Sequence, residues 1–169
     1  MTNAYIEERR PPLDPACARA TIELLFDGRH LSATGTREAL RFPAVSGKPD
    51  AAGKFTYSPE RQKLKGRGPI PAGRYWIQPS QTWENNWLKG LLVAPRAAWG
   101  NYRIAIHPFS DTNTFGRGGF FIHGGTVPGS AGCIDLTTQI DQFIAALKRE
   151  LHGLPECYIH LTVRYPASR

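Results

Sequence analysis

Two residues of this chain have the chemistry of a nucleophile and its base. His123 and Cys133 stand in Phe120-Phe121-Ile122-His123-Gly124-Gly125-Thr126-Val127-Pro128-Gly129-Ser130-Ala131-Gly132-Cys133-Ile134-Asp135-Leu136. A histidine can take the proton of a thiol, and the thiolate so formed is the attacking species. An apolar run delivers the histidine into glycines, and small residues precede the cysteine. Such residues let a substrate carbonyl approach the backbone N–H groups that would hold its oxyanion. Singly, a cysteine is most often a small buried hydrophobe and a histidine a satisfied structural residue. The pair carries more weight because six of the fourteen residues from Gly119 to Gly132 are glycine or proline, more than a packed core strand needs.

Other side chains compete for roles. His107 is a rival base, although Pro108 follows it in a less enclosed setting. Asp135 could orient a histidine, as acidic residues do in catalytic triads. Ser130 either shapes the turn before the nucleophile or contacts substrate. Trp83 and Trp87 flank a polar Glu84-Asn85-Asn86 step and offer a sugar or peptide platform, or core packing.

The elements that must position these groups are mostly strands. Ile22, Leu24 and Phe26 alternate on one face, and Asp27-Gly28 is a hairpin turn leading to a second strand near residues 30–33. Further short strands are predicted over residues 40–44, 75–78, 90–94, 102–107, 119–123 and 158–163. Residues 46–68 are polar and loop-like, a flap beside the site. One helix is clear: Ile140, Phe143, Ile144, Leu147 and Leu151 follow helical spacing, with Thr138 as N-cap and Gly153 as the stop. It begins just after the cysteine and can back it. The fold is therefore mainly β with one principal helix, a β-sandwich or barrel in a single domain. Residues 1–19 form an N-terminal arm and residues 20–169 the catalytic domain.

Composition narrows the function classes. The chain has 169 residues, 41% of them hydrophobic, enough for one real core and too apolar for a disordered protein. No stretch reaches the roughly 20 apolar residues of a membrane span. The polar, charged start, Met1 to Arg10, has no apolar region of a signal peptide. A net charge of +7 suits an anionic partner, but the cations are dispersed and no nucleic-acid motif is present. The three cysteines, Cys17, Cys133 and Cys157, fit no zinc spacing. Cys17 and Cys157 either pair in an oxidising compartment or Cys157 is simply buried with Ile159, Leu161 and Val163.

The His–Cys segment resembles the catalytic motif of L,D-transpeptidases, the cysteine enzymes of peptidoglycan stem peptides. Their motif has Ile-His-Gly, a loop, then Ser/Thr-His/Arg-Gly-Cys and an apolar residue. Ile122-His123-Gly124 and Ser130-Ala131-Gly132-Cys133-Ile134 match it. Gly68-Pro69-Ile70-Pro71-Ala72-Gly73-Arg74-Tyr75 and Val45-Ser46-Gly47-Lys48 resemble upstream stretches of the same family. The run from Arg117 to Gly124 and the run from Gly129 to Ile134 resemble a subgroup more closely: L,D-transpeptidase-like antibacterial effectors of the type VI secretion system. Two positions depart from the general pattern, Ala131 in place of His or Arg and Asp135 where an arginine commonly follows. They put cross-linking in question and leave the thiol chemistry intact.

The resemblance implies that Cys133 attacks the carbonyl between the third and fourth residues of tetrapeptide stems. His123 would be the base, with the Gly124 carbonyl orienting it and the Gly132 and Cys133 N–H groups forming the oxyanion hole. Arg117 would bind a stem carboxylate or stand as a solvated loop residue. L,D-carboxypeptidase or D-amino-acid exchange would follow, with no metal or other cofactor. Implied partners are peptidoglycan stems, a cognate immunity protein and a secretion-machine component. The protein would be made in the cytoplasm and act in the periplasm of a target bacterium. Two alternatives remain open: another Cys–His peptidoglycan endopeptidase or amidase, and a non-catalytic wall-binding module on the same fold.

Overall fold

The alternation from Ile22 to Phe26 forms strand β1 (Arg19–Phe26), with Ile22, Leu24 and Phe26 buried. The computed structural model describes residues 14–85, 99–152 and 157–167. Gly28, at φ +92°, turns the chain into β2 (His30–Thr34), and the Asp27 carboxylate accepts from the Arg29 and His30 N–H groups to fix the turn. Then follow β3 (Leu40–Pro43), β4 (Val45–Ser46), a one-turn helix α1 (Pro59–Gln62), β5 (Gly73–Ile77) and β6 (Trp83–Glu84). The second half holds β7 (Tyr102–Pro108), β8 (Phe120–His123), β9 (Ile134–Asp135), α2 (Ile140–Glu150) and β10 (Tyr158–Val163). The strand expected at 90–94, Trp87, the helix stop at Gly153 and the start of the N-terminal arm lie outside the described residues.

The strands form one path, β3-β2-β1-β10-β5-β7-β8-β9-β4, with β6 paired to β7. Its two end strands, β3 and β4, are separated in sequence by Ala44 alone. The chain itself therefore joins the ends of the sheet, giving a nearly closed, barrel-like sheet. The Ala44 N–H donates to the Arg29 carbonyl at 2.9 Å across this corner. β1 with β10 and β8 with β9 are parallel; the other pairs are antiparallel. Inward-facing Ile22, Leu24, Phe26, Tyr75, Ile77, Ile104, Ile122, Ile134 and Leu161 form one core, closed by Ile140, Phe143, Ile144 and Leu147 of α2. Full burial of each such α2 side chain contributes about 1.5–3 kcal/mol, which holds the helix against the sheet.

The start of α2 corrects the expected cap. Gln139, not Thr138, occupies the cap position, and its side chain makes no capping bond. Thr138 lies within a 3-10 turn (Thr137–Gln139) that leads into the helix. The Asp135 carboxylate accepts from the Thr137 N–H at 2.8 Å and fixes this turn instead. Residues 46–68 pack beside the His–Cys loop, as the flap reading requires: the Ser130 N–H donates to the Gly47 carbonyl at 3.0 Å. Among the described residues no helix is long and apolar enough to cross a membrane.

Candidate active site

Strand register builds the site. Trp83 pairs with Arg103, Arg103 with His123, and His123 with Asp135, so four side chains form a row across β6, β7, β8 and β9. Successive strand residues point to opposite faces. Ile104, Ile122 and Ile134 each adjoin a member of the row in sequence, pair in the same register and are 0% exposed in the core. The row therefore lies on the other face of the sheet. Cys133 directly precedes Ile134, and the same alternation returns it to the side of His123 and Asp135. All three are buried there. The Trp99 ring covers His123, with centroids 4.9 Å apart.

His123 has a defined tautomer. Its Nδ1 lies 2.7 Å from the Gly124 carbonyl oxygen, which can only accept, so Nδ1 carries the proton and Nε2 keeps its lone pair. Burial holds the imidazole below its ordinary pKa; the Gly124 bond and Asp135 oppose that shift, and Arg103 adds to it. Asp135 Oδ1 stands 4.0 Å from Nδ1, too far for a direct hydrogen bond. The carboxylate instead accepts from the Gly129 N–H at 2.9 Å and the Thr137 N–H at 2.8 Å. Burial pushes its carboxyl upward, and these two donors together with His123 pull it back. Asp135 thus ties the His–Cys loop to the start of α2 and sets a negative field beside the imidazole.

The Cys133 thiol is pushed up to about 12, chiefly by burial. The Phe121 N–H, Arg103 and Arg117 favour the thiolate, while Asp135 disfavours it. A neutral thiol beside a neutral imidazole is the resting state this implies. The turn before the thiol is built from small residues for steric reasons. Gly132 sits at φ +126°, and a Cβ there would lie 2.7 Å from Arg117 Nη2. A Cβ on Gly124 would lie 2.4 Å from Ile140 Cγ2 and 2.5 Å from the Thr137 carbonyl oxygen. The Ser130 hydroxyl donates to the Cys133 carbonyl at 2.9 Å and accepts a long bond from the Gly132 N–H at 3.4 Å, so Ser130 shapes this turn.

Arg117 corrects both sequence expectations. It is neither a solvated loop residue nor open to a substrate carboxylate, being only 7% exposed. Its guanidinium donates to the carbonyls of Gln62, Pro69, Gly68 and Ala131, at 2.6, 2.7, 2.8 and 3.2 Å. A planar group with five donors can staple several carbonyls at once, and here it locks the proline-glycine stretch to the nucleophile loop. His107 stands apart from the row: its ring packs on Trp76 at 4.3 Å, and Nε2 meets Gln81 Oε1 at 2.7 Å. The sequence reading missed Arg103 and Trp99. Arg103 alternates with the core residues Ile104 and Ile106, which was a usable signal that it faces away from the core; its register opposite His123 was not. Among the described residues no group of three or more His, Cys, Asp or Glu gathers to hold a metal.

Comparison with known proteins gives a family. The sequence profile of the Tlde1 domain matches residues 41–154, more than half of the chain and the whole of the site. No curated protein matches. Among solved structures, Bd1075 of Bdellovibrio bacteriovorus is similar, at 17% identity and a TM-score of 0.49, over 85% of this chain and 47% of that one. The chain thus spans about half the length of that protein.

Proposed function

This chain belongs to the Tlde1 domain family, the L,D-transpeptidase-like effectors of type VI secretion, and on that premise we propose that it is a cysteine L,D-carboxypeptidase and D-amino-acid exchange enzyme of peptidoglycan tetrapeptides. The carrying observation is the parallel pairing of β8 with β9. It brings His123, with Nδ1 engaged by Gly124 and Nε2 left basic, onto the strand beside Cys133.

In this reading Cys133 Sγ attacks the carbonyl carbon between diaminopimelate and D-alanine as its proton passes to His123 Nε2. A neutral imidazole is the form that can accept it, and burial keeps it neutral. The oxyanion meets the N–H groups of the Gly132–Cys133 turn. The carbon–nitrogen bond breaks, and Nε2 returns the proton to the departing amine. Water then attacks the acyl-enzyme with His123 as base, releasing the tripeptide. A D-amino acid taking the place of water completes an exchange. Either outcome removes the tetrapeptides a bacterium needs for cross-linking, which supports an antibacterial role in a target periplasm, with a cognate immunity protein in the producer.

The test is mass spectrometry of disaccharide-tetrapeptide incubated with the protein, with and without D-methionine, beside Cys133→Ala. Loss of D-alanine that needs Cys133 is the expected result, and a D-methionine adduct demonstrates exchange. Cleavage only of cross-links or of the glycan–peptide amide would sink the bond assignment. No cleavage under reducing conditions would favour a wall-binding module.

A further inference from the structure

Arg103 is the cation that the row places at the site. It stands directly across from His123 on the neighbouring strand, and opposed residues of an antiparallel pair share a face with Cα atoms about 4.5–5.5 Å apart. Its guanidinium carbon lies 4.4 Å from the Trp83 ring centre, 5.2 Å from Trp99 and 5.3 Å from Phe121. Three aromatic rings hold the half-buried group, yet a π face satisfies no N–H donor. Among the described residues no carboxylate pairs with it. Arg117, the other guanidinium near the thiol, is consumed by backbone carbonyls.

We propose that Arg103 binds the free carboxylate of the departing D-alanine and so makes the enzyme specific for stems that end in that residue. The inference rests on the L,D-carboxypeptidase reading above. His123 must reach the nitrogen of the departing residue to protonate it. The carboxylate carbon is two bonds from that nitrogen, about 2.5 Å away. The anion therefore lies close to the neighbours of His123, and of the two charged ones Asp135 repels it while Arg103 can bind it. A planar fork matches a carboxylate through two parallel hydrogen bonds. A D-alanine whose carboxyl is tied up in a cross-link offers no such anion and would leave the caged cation unpaired. In the unliganded site the same positive charge favours the Cys133 thiolate and disfavours imidazolium, so a bound carboxylate would also help His123 hold the proton it has taken.

The test compares release of the fourth residue from two soluble substrates, the tetrapeptide with a free terminal carboxylate and the same peptide ending in a carboxamide. The wild type is expected to prefer the acid by about ten- to a hundredfold in kcat/KM, the range for a charge-assisted pair. In Arg103→Gln that preference should collapse toward unity. Arg103→Lys, which keeps the charge, should retain part of it. An equal loss on both substrates would assign Arg103 to packing or to thiol tuning and overturn the proposal, with the reaction itself standing. A wild type that removes the fourth residue from neither substrate would overturn the reaction and this inference together. Thermal melts of both variants separate a failure to fold from a loss of preference.

Discussion

A buried thiol with a pKa near 12 and an imidazole held below its ordinary range cannot rest as a thiolate–imidazolium pair. On this charge state, activation of the thiol is expected to accompany substrate binding. Alkylation of Cys133 by iodoacetamide, read by peptide mapping, is therefore expected to be slow at pH 7 and to climb about tenfold per unit up to pH 9.5, without a plateau. A plateau near neutrality would show a preformed ion pair. The sign for catalysis follows from the other partner. Burial lowers the pKa of this base, so the acid limb of D-alanine release should lie below the range of a free histidine, activity falling only once His123 is protonated. His123→Ala should reduce kcat by roughly 10²–10⁴.

At the scale of elements, the site depends on how closely α2 approaches the end of β8. The Gly125 N–H donates to the Thr137 carbonyl at 3.1 Å, and the Leu136 N–H to the His123 carbonyl at 2.8 Å. Gly124 lies between, with Ile140 against it. Gly124→Ala must push the start of α2 away, because backbone and a branched side chain both stand within 2.5 Å of the new methyl. Overpacking of this kind costs about 1–3 kcal/mol. The expected outcome is a lower urea midpoint together with a fall in activity, since the displaced Gly124 carbonyl is the one that fixes His123. A variant with unchanged midpoint and turnover would show that the two elements are not coupled. The one-turn helix α1 escaped the sequence reading because Pro59–Gln62 is too short to carry a periodic pattern.

At the scale of the molecule, β1 and β10 pair in parallel, so the segments preceding them arrive at the same end of the sheet. That brings Cys17 and Cys157 together across the length of the chain. The Tyr158 N–H points at Cys17 Sγ at 2.9 Å, and the two thiols lie within hydrogen-bonding reach of each other. Both are free and half-buried, so Cys157 is not sealed in the core with Ile159 and Leu161. Cys17 also lines a cavity of about 550 Å³ with Asp14, Arg74, Phe109 and Asp111, which gives reagents a path to it. Oxidation is expected to join them. Ellman titration in denaturant should then count one thiol, Cys133, in place of three, and the urea midpoint should rise as the disulfide restrains the unfolded chain. Three thiols after oxidation would refute the pairing.

The sequence by itself determined most of the elements and singled out a candidate nucleophile and base. Period-two alternation marked β1 and β10, a helical period marked α2, and glycines marked the turns, because these signals are local. His123 and Cys133 stood out as candidates for the same reason: both lie in one segment whose composition has no use in a plain core strand. Only the tertiary structure decided which charge faces the site. Arg103 lies within β7 and Arg117 in the loop before β8, and no local pattern shows what faces the one or encloses the other. Strand register sets Arg103 opposite His123, while the fold encloses Arg117 among four carbonyls distant in sequence. Register and enclosure are long-range properties, fixed when the sheet closes, so no window of the sequence could carry them.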